Sequence, residues 1–313
     1  MLALAASVVT HALTKRFGER TAVDAVDIEL PVGVVSGFVG PNGSGKTTTI
    51  QLLLGLLRPT SGTATVLGEP ITRPAAYLGR VGALIEAPSF YPTLSGRRNL
   101  QVLTRLGKID QSRIAEVLEI VELSDRANDL VRSYSLGMKQ RLGVAAALLP
   151  SPELCILDEP TNGLDPAGIR EMRTVMRGLA DRGITVFVSS HLLREIEAIC
   201  DHLVMINSGR IVYQGGVRGL LATQHSDLVA TPEHAADATA LAALCAAAGL
   251  TARVDGDSVH VQAPEDFAAE LNRRAMAAGI TLRGLQAIRA SLEEAFFAIT
   301  EADSAAPDEQ ADG

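Results

Sequence analysis

Nowhere in the 313 residues does an apolar run approach the roughly 18 to 20 residues a helix needs to cross a bilayer. If the chain serves transport, another chain must supply the pore. The apolar start, Met1 to Val9, lacks the preceding positive charge of a secretory signal and runs into Thr10-His11-Ala12-Leu13-Thr14-Lys15, which reads as a first strand. Cysteine is scarce. Cys155, Cys200 and Cys245 are odd in number, far apart and without metal-ligand spacing, which speaks against a disulfide framework or a zinc site and for reduced cytoplasmic thiols. Cys155 lies in an apolar run and reads as a small core residue. A basic excess is also missing: 28 Lys and Arg stand against 36 Asp and Glu, a net charge of −8. Five of those acids fall between Glu301 and Gly313 with no base among them, so the remainder is nearly neutral at −3. A nucleic-acid partner has no electrostatic support in such a body.

Hydrophobic residues make up 47% of the chain, enough for one sizeable core and a second, smaller one. Val34 to Val39, Leu154 to Leu157 and Ile184 to Val188 are nearly continuous apolar runs, the pattern of strands buried on both faces of a parallel sheet. Helical patterns separate them. The clearest has Asp165 as N-cap, Pro166 in the first turn and Gly183 as its stop. Ser208-Gly209 predicts a hairpin between Leu203–Ile206 and Ile211–Tyr213 that closes a first domain, residues 1–222. From Asp227 the composition turns Ala-rich, and a second domain, residues 223–302, is predicted as β-α-β-β-α-β with one further helix, a small ferredoxin-like unit. Asp255-Gly256-Asp257 separates its middle strands. Residues 303–313, rich in Ala, Asp and Glu, read as a disordered acidic tail.

Three segments carry chemistry. Gly40-Pro41-Asn42-Gly43-Ser44-Gly45-Lys46-Thr47, followed by Thr48 and a helical run, fits a phosphate-binding loop: its glycines let backbone N–H groups converge on phosphate oxygens at a helix start. Lys46 would neutralise β and γ phosphates, and the Thr47 hydroxyl would hold Mg²⁺. Leu154-Cys155-Ile156-Leu157-Asp158-Glu159 is an apolar strand ending in two acids. Asp158 could complete the metal shell and Glu159 polarise an attacking water. At Ser133 to Arg141, a Ser-x-Gly opens a helix whose free N–H groups form a second anion site. One nucleotide does not need two.

The order of these segments with Gly163-Leu164-Asp165 and His191 resembles the ABC ATPase family over roughly residues 8 to 222. That resemblance implies an α/β P-loop ABC ATPase domain, with a parallel-sheet core, an antiparallel β part and a helical signature subdomain. The smaller α+β domain follows it. It further implies that the signature of one subunit covers the γ-phosphate held by the other. Ser135, Leu136, Gly137 and Met138 would then act in trans. Tyr134, Leu136 and Met138 depart from the usual Leu-Ser-Gly-Gly-Gln, while Ser135 and Gly137 keep the phosphate-facing residues. By the same resemblance Asp165 links the sites across a dimer, His191 is the switch histidine and Phe17 is the aromatic that stacks on adenine.

Glu86 stands where the family usually has glutamine. With Pro88 to Pro92 after it, the segment is similar to the branch of bacitracin-resistance and lantibiotic-immunity exporters. Ser291 to Phe296 is similar to the C-terminal segment of drug-exporter ATPases. The resemblance therefore implies an ATP- and Mg²⁺-dependent motor subunit for export of a drug, peptide antibiotic or similar amphiphile. Its partners would be a separate integral membrane permease and a second copy or paralogue, head to tail, at the cytoplasmic face of the membrane. Glu86 is expected near the metal or in the loop coupling to the permease. The alternative is a soluble ABC ATPase acting on ribosomes or DNA.

Overall fold

The structure, a computed structural model, describes residues 6–86, 89–223, 227–288 and 291–305. Ala87 and Pro88, the first five residues of the expected opening strand, and residues 306–313 of the expected tail lie outside the described residues. The final helix, Leu292–Ala305, extends into the first residues of the segment expected to lack structure. Two compact units form, one reaching to Val217 and taking in the chain again from Ile299, the other spanning Arg218–Ala298.

Continuous apolar runs place the central strands of the first unit. Six strands form a sheet in the order Arg210–Gly216, His202–Asn207, Val35–Val39, Thr185–Ser190, Leu154–Asp158 and Val81–Leu84. All pair in parallel except the first, which returns through the Ser208-Gly209 turn. Both turn residues have positive φ, 48° and 85°, the geometry that matches a two-residue hairpin to strand twist. Every residue of Val35–Val39, Leu154–Asp158 and Thr185–Ser190 is buried. Phe38 and Phe187 stack at 5.2 Å between neighbouring strands. The register pairs Val39 with Ser190 and Asp158 with Ser189. The residues that follow these strands, Gly40, Glu159 and His191, therefore emerge together at the carboxyl edge of the sheet, where open α/β folds place their ligands.

An antiparallel sheet lies in the same unit, built on the long strand Ala6–Phe17, which pairs with Arg20–Val26, Glu29–Pro31 and Ser61–Val66. Its two-residue turn sets Phe17 opposite Arg20. A helical portion comprises Gly96–Gly107, Arg113–Ile120 and Leu136–Leu148. The last of these packs on the edge strand Val81–Leu84. Gly82 permits that approach, since a Cβ there would stand 2.2 Å from the carbonyl oxygen of Ala147.

In the second unit the elements follow the order β-α-β-β-α-β. Four antiparallel strands align as Ala252–Asp255, Ser258–Gln262, Asp227–Pro232 and Leu282–Ile288. Helices Ala238–Ala247 and Ala268–Ala277 cover one face. Leu228, Val259 and Val261 from alternate strand positions meet Leu241, Cys245 and Leu271 in a separate core.

Gly82→Ala should destabilise the protein by roughly 1–3 kcal/mol, the usual scale of overpacking, because the obstacle is helix backbone rather than a movable side chain. Thermal melting measures it, and an unchanged midpoint would mean that the helix end can withdraw freely.

Candidate functional site

At the carboxyl edge of the parallel sheet lies a cavity of about 520 Å³. Asn42, Gly43, Gly45, Lys46, Thr47 and Thr48 form one wall, Glu159, Asn162 and His191 another, and Phe17, Arg20 and Ala22 the antiparallel-sheet side. The loop wall is shaped by backbone that only glycine tolerates. Gly45 has φ 110°, and a Cβ on it would stand 2.5 Å from the Ala22 carbonyl oxygen. On Gly40 a Cβ would lie 2.2 Å from the Ile206 carbonyl oxygen. Helix Lys46–Leu53 opens directly from Gly45, with no acid in its first turn to offset the positive end of its dipole. The Ser44 hydroxyl is buried without a hydrogen-bond partner among the described residues. These features fit an anion with several oxygens: a glycine-shaped loop at a helix start, an unsatisfied hydroxyl and a buried ammonium.

That ammonium belongs to Lys46, which is 6% exposed and donates to the carbonyls of Gly40 at 2.7 Å and Pro41 at 3.2 Å. It also lies 3.5 Å from Glu159 Oε1. The other carboxylate oxygen of Glu159 is 2.8 Å from His191 Nδ1, and since a carboxylate can only accept, the imidazole carries its proton there. Glu159 thus links Lys46 and His191 into one chain of contacts across the cavity. Glu159 holds a φ of 48°, a left-handed conformation costing on the order of 1–2 kcal/mol for a residue with a Cβ.

Asp158 sits just behind, 5% exposed. The Thr47 hydroxyl donates to its Oδ2 at 2.9 Å and the Ser189 hydroxyl to its Oδ1 at 2.5 Å. Ser189 Oγ in turn accepts from the backbone N–H of Glu159 at 2.9 Å. One serine therefore fixes both acids. Among the described residues no group of three His, Cys, Asp or Glu could hold a metal alone. A hard cation here would take the Thr47 hydroxyl and the Asp158 carboxylate and rely on phosphate oxygens for the rest of its shell, the usual habit of Mg²⁺.

A second concavity of about 330 Å³, sharing no lining residue with the first, is formed by Ser135, Leu136, Gly137, Gly163, Leu164, Asp165 and neighbours. Ser135 caps helix Leu136–Leu148 by accepting from the Met138 N–H at 3.2 Å. Asp165 caps helix Pro166–Asp181 through the Gly168 N–H at 2.8 Å. Buried Glu195, from helix Leu193–Ile199, accepts a 2.5 Å hydrogen bond from Thr161 and so ties the loop before Asp165 to the segment after His191.

The residues singled out in the sequence divide as follows. Phe17, Asn42, Gly43, Gly45, Lys46, Thr47, Thr48, Glu159 and His191 meet at the first cavity, with Gly40, Pro41, Ser44 and Asp158 supporting it. Ser135, Leu136, Gly137 and Asp165 meet at the second, where Met138 supplies the capped amide. Glu86 lines neither: it is exposed, with φ 60°. Ser189, Arg20 and Asn162 were not singled out. Only strand register places Ser189 against Asp158, and no sequence motif marks the other two. Burial pushes the Cys155 thiol up to about 12 and the Cys200 thiol up as well, as befits inert core residues.

Residues 23–162 match the family model described as ABC transporter. Over 206 residues the chain is 49% identical to the bacitracin transport ATP-binding protein BcrA of Bacillus licheniformis, covering 65% of this chain and 67% of that one. It is 33% identical over 308 residues to the daunorubicin/doxorubicin resistance ATP-binding protein DrrA of Streptomyces peucetius, covering 94% and 92%. The lantibiotic transport ATP-binding protein SrtF of Streptococcus pyogenes is 41% identical over 64% of this chain and 87% of its own length. Among solved structures, the ATP-binding cassette MJ1267 in its ADP conformation superposes with a TM-score of 0.64 at 23% identity, over 70% of this chain and 96% of that one.

Tested as the ATPase that the sequence reading expects, Ser189→Ala should cut turnover roughly ten- to a hundredfold. It removes one hydrogen bond to a buried carboxylate and one from a strained amide. Nucleotide affinity should stay within a few-fold. Steady-state kinetics beside equilibrium binding checks this, and equal loss in both would make Ser189 a folding residue only.

Proposed function

The chain belongs to the ABC transporter family, as an ATP-binding and ATP-hydrolysing subunit, and from that premise we propose that it powers efflux of a drug, peptide antibiotic or similar amphiphile through a separate integral membrane permease. The observation that carries the catalytic part is the convergence of Lys46, Thr47, Glu159 and His191 on one cavity at the carboxyl edge of the sheet, with Asp158 bonded to Thr47 just behind it. The export part rests on relatives named for bacitracin transport, lantibiotic transport and daunorubicin/doxorubicin resistance. No observation favours the soluble alternative on ribosomes or DNA.

The roles we propose are those the geometry supports. The loop amides of Gly43 to Thr48 and the Lys46 ammonium bind the phosphates, and Phe17 supplies a ring for the base. Mg²⁺, when bound, supplies charge neutralisation at the phosphate oxygens. Thr47 and Asp158 would be its ligands from this chain. Glu159 accepts the proton of the attacking water, oriented by the proton that His191 holds toward it. Glu86, exposed and outside the cavity, is better placed to contact the permease than to ligate the metal. Ser135, Gly137 and their helix start complete the site of a second copy or a paralogue, head to tail, with Asp165 in the loop between the sites. Among the described residues no helix is long and apolar enough to cross a membrane. Attachment to the permease would hold the subunit at the cytoplasmic membrane face. The second unit is read as a ferredoxin-like accessory domain.

Glu159→Gln should keep ATP affinity while lowering turnover at least a hundredfold, the usual scale for losing a general base. Full turnover in that variant would remove Glu159 from the mechanism. The paired site has its own test. Lys46→Ala cannot hold its phosphates and Ser135→Arg cannot cover those of its partner, yet a mixture still contains one intact composite site. Activity of the mixture above the sum of the separate samples is expected, and full activity of both variants as monomers would sink the paired arrangement. Co-purification distinguishes a membrane permease from ribosomes or DNA as the partner.

A further inference from the structure

Phe17 and Arg20 flank a two-residue turn and face each other across the antiparallel pair, so both side chains leave the same side of the sheet. Both line the cavity that holds Lys46. The cations around Phe17 differ in what they touch. Lys15 donates to the Arg58 carbonyl at 2.9 Å, with its ammonium over the Phe17 ring, 5.0 Å from the centroid. Arg16 Nε donates to the Thr21 hydroxyl at 3.0 Å. Arg20 is exposed and, among the described residues, has neither a hydrogen-bond nor an ion-pair partner. Its Nη2 reaches toward the phosphate loop, 3.9 Å from where a Cβ on Gly43 would stand.

We propose that Arg20 is a further nucleotide-binding residue, one that takes the α-phosphate. The inference rests on the nucleotide reading of the cavity. With the β and γ phosphates at Lys46 and the base on Phe17, the α-phosphate must pass between Gly43 and Phe17, where Arg20 stands. A guanidinium presents several N–H donors in a rigid plane and binds phosphate in pairs of charge-assisted hydrogen bonds. Lys46 cannot serve that end of the nucleotide, since it is held among Gly40, Pro41 and Glu159. The Lys15 ammonium occupies one side of Phe17 and leaves the ring's remaining exposed surface for the base; Phe17 is 48% exposed. The two ends of the ligand are thereby recognised by different parts of the fold, the γ end by the parallel sheet and the α end by the antiparallel one.

The test is equilibrium binding of ATP and of ADP to the full chain and to Arg20→Ala, Arg20→Lys and Lys46→Ala. Arg20→Ala should weaken ATP and ADP equally, by about tenfold, and leave the melting temperature of the unliganded protein unchanged. Arg20→Lys should recover part of the loss. Lys46→Ala should weaken ATP more than ADP, because it loses contact with the γ-phosphate as well. A loss in Arg20→Ala confined to ATP, or wild-type affinity for both nucleotides, would overturn the assignment while the parent chain still binds. Failure of the parent chain to bind either nucleotide would bring down the nucleotide reading itself.

Discussion

Asp158 sits between two hydroxyls, Thr47 at 2.9 Å and Ser189 at 2.5 Å, and much of the first cavity depends on that clamp. The three residues come from the first helix after the phosphate loop and from two adjacent strands. They can meet only because parallel pairing brings Asp158 level with Ser189 and Val39 level with Ser190. A one-residue slip would turn Ser189 to the opposite face of the sheet. The buried carboxylate would then lose a donor, which is costly in an interior of low dielectric. The apolar burial of the strands fixes the register, and the register fixes the chemistry.

The same clamp sustains the strain at Glu159. A left-handed backbone at a residue with a Cβ persists only where its surroundings over-determine it. The N–H of Glu159 is held by Ser189, and its carboxylate by His191 and Lys46. This conformation turns the chain sharply at the strand end, so that Asp158 stays buried while its neighbour enters the cavity. Two consecutive acids thereby face different tasks, one supporting the Thr47 hydroxyl and the other available to a water. In an ordinary extended strand they would have pointed to opposite faces.

Legibility from sequence followed the range of the interactions. Leu154–Asp158, the Ser208-Gly209 hairpin, the Asp165 cap and the β-α-β-β-α-β order of the second unit were readable because each depends on local periodicity or a local turn. The phosphate loop was readable because its glycines answer to local backbone demands, at Gly43 and Gly45 above all. Ser189 was not, because its role exists only in the alignment of two strands 31 residues apart. Arg20 was not, because an arginine at a strand start has many uses and only the fold brings it to Gly43. Glu86 lines neither cavity and has a positive φ, which nothing local in glutamate signals. The division of the chain near Val217, and the grouping of residues from Ile299 with the first unit, likewise depend on long-range packing.

The second concavity gives the proposed pairing its physical sense. A helix start has four amides without intrahelical partners. In Leu136–Leu148 the Ser135 hydroxyl satisfies that of Met138, and Ser135, Leu136 and Gly137 at the helix start line the second concavity. The space beside Gly137 is open: a Cβ on it would meet nothing closer than 3.8 Å. Such an opening favours an anion, yet the loop proposed to bind phosphate on this chain lines a different cavity with no residue in common. A second subunit presenting its own phosphates to this helix start would satisfy both surfaces at once. It would also explain why the loop from Thr161 to Asp165 is tied through Glu195 to the segment that follows His191: a shift of the partner against Asp165 would be felt at the histidine that orients Glu159.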